Sequence, residues 1–238
     1  IIPFMNIDMI PINGIIAIIM SCTNNDIDKE IQMLDLKIAQ YAETDIGYDD
    51  NLLDENQKIV VQKLFEAAKI MDELFLEQVY SKNFELRSEL ESASDPLSNK
   101  KLEFFTINFG PFDRLDHEKP FIGEDVKPLG ANFYPEDMTK EEFEKFTADN
   151  SDKEKEFTSE FTVIRRCNGS LTAIPYSEYY KDKLGAAAKF MREAAEYADN
   201  PSLQKYLLTR ATAFETNDYY ESDMAWMDLK DHAIEIVI

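Results

Sequence analysis

The chain has 238 residues, 44% of them hydrophobic and 12% aromatic, which is enough apolar material for a sizeable core and argues against a disordered polypeptide. Its formal charge of −22, from 47 acidic against 25 basic side chains, argues against direct nucleic-acid binding, because that affinity comes largely from Lys and Arg neutralising phosphates. Two cysteines, Cys22 and Cys167, and two histidines, His117 and His232, supply neither a CxxC pair nor two histidines at i, i+4, so no disulfide framework and no zinc site is expected from this chain.

The acidity has two readings. A self-repelling, solvated surface is the plainer one, and attraction of cationic ligands such as peptide amino termini is the functional one. Residues Ile10 to Met20 are mostly apolar, interrupted by Pro11, Asn13 and Gly14, and run through Ser21-Cys22 into polar Thr23-Asn24-Asn25-Asp26. The stretch is too short to span a bilayer as a helix. Ile19-Met20-Ser21-Cys22 resembles the end of a bacterial lipoprotein signal peptide, although no Lys or Arg precedes Lys29. On that reading residues 1–21 are a signal segment, Cys22 is acylated, and the only membrane contact is the lipid anchor. The protein then belongs to the bacterial cell envelope, on its periplasmic or surface side. The alternative is a buried N-terminal strand and a cytoplasmic protein.

Residues 22–50 read as a tether and first helix: Ile27, Ile31, Leu34, Ile38 and Tyr41 recur three or four apart. A long helix follows, with Val60, Leu64, Ala67, Ala68, Met71, Leu74 and Phe75 on one stripe, continuing toward Tyr80 and Leu90. Between Ser94 and Pro135 five prolines and three glycines predict a loop-rich segment, with one strand around Phe104 to Phe109. A helix restarts after Met138, where Thr139 and Glu142 form a capping-box pattern and Met138 with Phe143 a hydrophobic staple.

Phe161 to Pro175 predicts a β-hairpin, since Asn168-Gly169 is the pair best able to take the positive φ angles of a type I′ turn. After Ser177, read as an N-cap, Leu184, Ala187, Ala188, Met191, Ala194, Ala195 and Ala198 form a stripe of mostly small residues suited to close helix packing. Asn200-Pro201 then starts a helix burying Leu203, Tyr206, Leu207, Ala211 and Phe214. The β-branched run Ile234 to Ile238 reads as a strand without its turn and partner, a template for association. The fold class expected from these elements is α+β, mainly helical with a small antiparallel β element.

Four segments carry a resemblance. Gly130-Ala131-Asn132-Phe133-Tyr134-Pro135-Glu136-Asp137-Met138-Thr139, Phe161-Thr162-Val163-Ile164-Arg165-Arg166, Ile174-Pro175-Tyr176-Ser177 and Glu215 to Met227 resemble, in order and spacing, bacterial and plant proteins similar to dipeptidyl-peptidase III. The resemblance covers about residues 50–238. It implies that residues 51–238 are part of the non-zinc, N-terminal lobe of a two-lobed metallopeptidase that removes dipeptides from peptide amino termini. It also implies zinc in the complete protein, bound by two His and a Glu from motifs that do not occur here. No catalytic residue and no metal ligand is therefore assigned in this chain. Trp226 is the residue that the family pattern places near the substrate cleft, its other reading being a core aromatic. A competing function of a different class is a non-catalytic, surface-anchored lipoprotein that binds peptides or proteins with one lobe of a peptidase fold.

Overall fold

A computed structural model describes residues 12–45, 47, 49–234 and 236–238, apart from the side chains of residues 12–24 and of Asp50. Helix α1 covers Ile12–Ile38, α2 Glu55–Val79, α3 Asn83–Ser92 and α4 Pro96–Asn108. Strands β1 (Phe112–Asp113) and β2 (Lys119–Pro120) form a minimal ladder before helices α5 (Lys140–Asp149) and α6 (Glu154–Phe157). Strands β3 (Thr162–Cys167) and β4 (Ser170–Pro175) pair antiparallel, followed by α7 (Tyr176–Tyr179), α8 (Lys181–Tyr197), α9 (Pro201–Thr216) and α10 (Tyr220–Met227). The fold is mainly helical with small antiparallel sheets, as the composition and periodicities imply.

The largest core lies between α2, α8 and α9. Leu184, Ala187, Ala188, Met191, Ala194 and Ala195 of α8 are all buried, against Val60, Leu64 and Ala67 of α2 and Leu203, Tyr206, Leu207 and Ala211 of α9. Alanine at these contacts lets backbones approach closely at little side-chain entropy cost. Ala68 and Phe75, expected on the buried stripe of α2, instead face outward, and Leu76 turns into a second cluster with Leu90 and Phe105. Fully buried Asn83 ties that cluster together, donating to the carbonyls of Leu76 at 2.8 Å and Phe109 at 3.2 Å.

Asp54 caps α2 in a reciprocal capping box with Gln57, whereas Thr139 completes only half of one. The Thr139 hydroxyl accepts from the Glu142 N–H at 3.1 Å, but the Glu142 carboxylate is taken by Arg166 at 2.8 Å. Asn200 caps α9 through the N–H groups of Ser202 and Leu203, with Pro201 at the first helical position, as its sequence predicts. In the hairpin, Asn168 and Gly169 take φ of 51° and 79°, the left-handed pair of a type I′ turn.

Several expectations are corrected. Phe104 to Phe109 is not a strand: residues 104–108 lie in α4, because Asp95 caps the helix at Ser98 N (3.0 Å) and Pro96 sits at its first turn, where its missing N–H costs little. Phe109 ends that helix with φ of 54°. The predicted helix over Ile27 to Tyr41 is the C-terminal part of the longer α1, which ends at Ile38, so its backbone is helical through position 22. Ser177 is not the cap of α8; it lies inside α7, and its N–H bonds Asn217 Oδ1 at 3.0 Å. The long second helix breaks at Tyr80, and Leu90 belongs to α3.

Residues 234 and 236–238 form no strand. They lie as an extended tail on the main core, with Ile234 and Ile236 buried, and Ile238 meets the Tyr206 hydroxyl through its carbonyl at 3.2 Å. Burial of alternate isoleucines against helices gives the segment its partner without a ladder. The readings for residues 1–11 lie outside the described residues, as does the side chain of Cys22.

Candidate functional site

The four segments that are far apart in sequence meet around the hairpin. Helix α2 ends with orphan carbonyls, as every helix does. Asn132 satisfies two of them, its backbone N–H donating to Gln78 O at 2.9 Å and its Nδ2 to Glu77 O at 2.9 Å. The acceptors of Asn132 then face Arg165, whose Nη2 donates to the Asn132 carbonyl at 2.8 Å and Oδ1 at 3.2 Å. The same guanidinium donates to the Tyr179 hydroxyl from Nε (3.1 Å) and Nη2 (2.9 Å), and to its neighbour's carbonyl, Ile164 O, at 2.8 Å. It also lies 4.7 Å from the Tyr179 ring centroid, a cation–π contact. Arg165 thus joins the Gly130–Thr139 loop, the hairpin and α7 at one point.

Register explains why an arginine is there. Val163↔Ile174 and Arg165↔Thr172 share one face of the hairpin, while Ile164↔Ala173 and Arg166↔Leu171 share the other. Val163 is buried in the main core, and Ile164 and Leu171 are buried in a separate cluster with Phe157. The hairpin is therefore apolar on both faces near its base. Arg165 follows Val163 toward the main core, so its charge needs partners there.

Next to this junction runs a chain of aromatic rings. Phe161 stacks on Tyr219 at 4.9 Å and meets Tyr176 edge-on at 6.4 Å, and Tyr176 packs on Tyr180 at 5.3 Å and on Phe133 at 6.1 Å. Burial pushes the Tyr176 phenol up to about 12 and raises Tyr180 and Tyr219 as well. These hydroxyls stay neutral near pH 7 and are packing groups, not bases.

Phe161 and Tyr219 lead to α10. Arg210, mostly buried, pairs with Asp223 at 2.8 Å and lies 5.3 Å from the Tyr219 ring, while Ala225 and Ser222 face inward. The outer face carries Tyr220, Met224 and Met227 at i, i+4 and i+7, all exposed. Trp226 is 43% exposed, and its indole N–H donates to Ile236 O at 3.1 Å. It is therefore not a fully buried core aromatic: one edge is fixed on the C-terminal tail and the remainder is presented to solvent. The exposed Met, Tyr and Trp side chains of α10 make a contact surface whose chemistry is apolar and polarisable, rimmed by Glu221 and Asp228.

No group of three or more His, Cys, Asp and Glu side chains suited to a metal ion occurs among the described residues, so zinc has no fitting donor set among them. Cys167 is exposed and free beside the hairpin turn. Among the described residues no helix is long and apolar enough to cross a membrane. Sequence reasoning singled out Trp226 but passed over Arg165 and Asn132, although both stand in the segments that carry the resemblance. The available signal for Arg165 was its period-2 relation to Val163, which sends a charge toward an apolar core.

No family model matches the chain. Among solved structures, DPP III from Caldithrix abyssi superposes with a TM-score of 0.82 and 64% identity, covering 83% of this chain and 38% of that one. Dipeptidyl-peptidase III from Corallococcus sp. strain EGB gives a TM-score of 0.82 and 39% identity, covering 84% of this chain and 38% of that one. A curated protein of Arabidopsis thaliana, Nudix hydrolase 3, is 34% identical over 227 residues, covering 74% of this chain and 29% of the plant protein. The chain thus spans under two fifths of the length of each of these relatives.

Proposed function

The chain belongs to the dipeptidyl-peptidase III-like family, as the counterpart of its N-terminal part, and from that premise we propose that it serves as the non-zinc lobe of a peptidase removing dipeptides from peptide amino termini. The observation that carries this reading is the agreement of fold and sequence together, a TM-score of 0.82 at 64% identity over 83% of the chain. In this role the lobe supplies no metal ligand and no nucleophile. Its contribution is a rigid wall: Trp226 and the Met224–Met227 stretch of α10 offer a half-exposed surface against which a peptide can lie, fixed from behind by Tyr219, Arg210 and Ile236. Zinc, in the complete protein, would supply the activated water from residues outside this sequence. The plant relative's name describes a different hydrolase and lends nothing further to the reading.

The experiment is a chimera in which the remaining length of the Caldithrix abyssi enzyme follows this chain, assayed on dipeptidyl arylamides. Hydrolysis is expected, with Trp226→Ala raising KM more than it lowers kcat. A folded, zinc-loaded chimera without activity would sink the peptidase reading and leave the peptide-binding lipoprotein in its place. The envelope location is proposed on the Ile19-Met20-Ser21-Cys22 pattern alone. Mass spectrometry of the cellular protein should find an acylated amino terminus at Cys22, lost in Cys22→Ser; an unmodified 1–22 segment contradicts the anchor.

A further inference from the structure

The loop before α5 and the start of that helix enclose a groove of about 520 Å³, lined by Leu129, Tyr134, Pro135, Met138 and Phe143, with Glu136 and Glu141 at its edge. It shares no residue with α10. We propose that this groove is a second contact site, for a peptide segment that carries an apolar side chain next to a positive charge.

The cavity itself is built and not incidental. A Cβ on Gly130 would lie 2.6 Å from Tyr134 Cδ2, so only glycine lets the loop close down on the ring that lines the groove. Helix α5 has no fully buried residue, and Phe143, which lines the groove, remains half-buried, which leaves apolar surface on its groove side without cover. Apolar surface is also exposed at the groove's edge: Leu129, which lines it, is fully exposed, and Val126, three residues earlier on the same loop, is nearly so. A groove of this size accommodates one or two side chains, and the exposed pair extends the strip beyond a single residue, which favours a peptide over a compact small molecule.

Charge selects the occupant. Among the described residues Glu141 makes no ion pair, and Glu136 accepts a hydrogen bond from the Ser81 hydroxyl but meets no cation. The lysine lining the groove, Lys140, is engaged by Glu144 at 3.5 Å. The neighbouring cation Arg166 is held by Asp137 and Glu142 at 3.0 and 2.8 Å. The edge is therefore net negative and suits a Lys, an Arg or a free amino terminus. A second copy of this chain fits poorly, because two bodies of formal charge −22 repel.

The test uses the whole chain and a fluorescein-labelled hexapeptide containing Lys-Leu-Arg, read by anisotropy. Saturable binding is expected. It should weaken about tenfold or more in Leu129→Asp and in Glu141→Lys, two exposed positions where folding is not at stake, and in a peptide with its Leu replaced by Ser or its cations by Glu. Lys205→Ala, at an exposed position of α9 that lines neither the groove nor the α10 surface, should leave it unchanged, and no zinc or hydrolysis is involved, so failure here is separable from failure of the peptidase reading. Absence of binding, equal binding of the acidic peptide, or insensitivity to both groove variants would overturn the proposal. So would self-association in sedimentation that Leu129→Asp abolishes, since the groove would then belong to a second copy.

Discussion

Replacing Arg165 by Leu should be among the more damaging single changes in this chain. The side chain donates to three separate acceptor groups, Asn132, the Tyr179 hydroxyl and the Ile164 carbonyl, and lies on the Tyr179 ring. Hydrogen bonds to a charged group contribute about 1.5–3 kcal/mol each when buried. Arg165 is only half-buried, so water can replace part of each bond, and about 1 kcal/mol per acceptor is the fitting figure. Lost cation–π contact adds about 0.5 kcal/mol, and the expected destabilisation is about 3–4 kcal/mol. In urea, with a slope of about 2–3 kcal/mol/M, that moves the midpoint down by about 1–2 M. Arg165→Lys keeps the charge but not the planar fork, and should recover less than half of the loss. A midpoint shift under about 0.3 M for the Leu variant, or a Lys variant equal to the parent, would refute the view that this guanidinium joins the loop, the hairpin and α7.

Asn200→Ala should cost about 1–2 kcal/mol by thermal or urea unfolding, because one side chain caps α9 and also donates to Lys230 O and Asp231 O at 3.0 and 2.8 Å. Asn200→Asp keeps the cap and loses the donors, so it should chiefly speed hydrogen exchange in residues 230–238. Tyr176, raised by burial to about 12, favours the neutral phenol in the folded state; its stabilisation is present below about pH 10 and is lost as pH rises toward 12. Tyr176→Phe should therefore flatten the alkaline fall in stability between those values, and an unchanged slope counts against the buried phenol. At the acid end, Arg166 holds Asp137 and Glu142 below their ordinary range by hydrogen bonding, so their contribution is present above about pH 4 and fades as pH falls through the lowered values. Arg166→Ala should remove that part of the acid dependence.

The elements with a local chemical signature were legible in the sequence. Asn168-Gly169 dictated its turn because few other pairs accept two positive φ values, and Asn200-Pro201 dictated a helix start because cap and φ constraint coincide. Leu184, Ala187, Ala188, Met191, Ala194 and Ala195 repeat at helical spacing over about three turns, long enough to be unambiguous. Phe104 to Phe109 and Ile234 to Ile238 were misread for the converse reason. A five- or six-residue apolar run has too few positions to separate period 2 from period 3.6, and its neighbours decide. Asp95 and Pro96 made the first a helix, and the side of the α2, α8 and α9 core made the second an unpaired tail. At the site, Trp226 came from family resemblance, and nothing local to it revealed that its N–H would be fixed ten residues downstream.

That dependence on distant partners is what makes the α10 surface specific to the folded lobe. Helix α10 is two turns long, too short to be stable alone in water. Its start is set by Asn217, whose φ of 61° ends α9 and whose side chain accepts from Ser177 at the foot of the hairpin. Its rotation is set by Tyr219, stacked on Phe161, and by the Arg210–Asp223 pair. The outward direction of Met224, Trp226 and Met227 thus follows from hairpin contacts made about fifty residues earlier in the chain, so a change at Phe161 or Ser177 should disturb the proposed peptide wall without touching it. Phe161→Ala is the sharper version of that test. It removes the ring that seats Tyr219 while leaving the type I′ turn at residues 168–169 in place. If α10 is positioned from the hairpin, Trp226 emission should shift to the red and its quenching by iodide should rise, with the far-ultraviolet helix signal nearly unchanged. Unaltered Trp226 fluorescence would mean that Ile236 and Arg210 alone hold the helix, and the hairpin would lose its part in building the site.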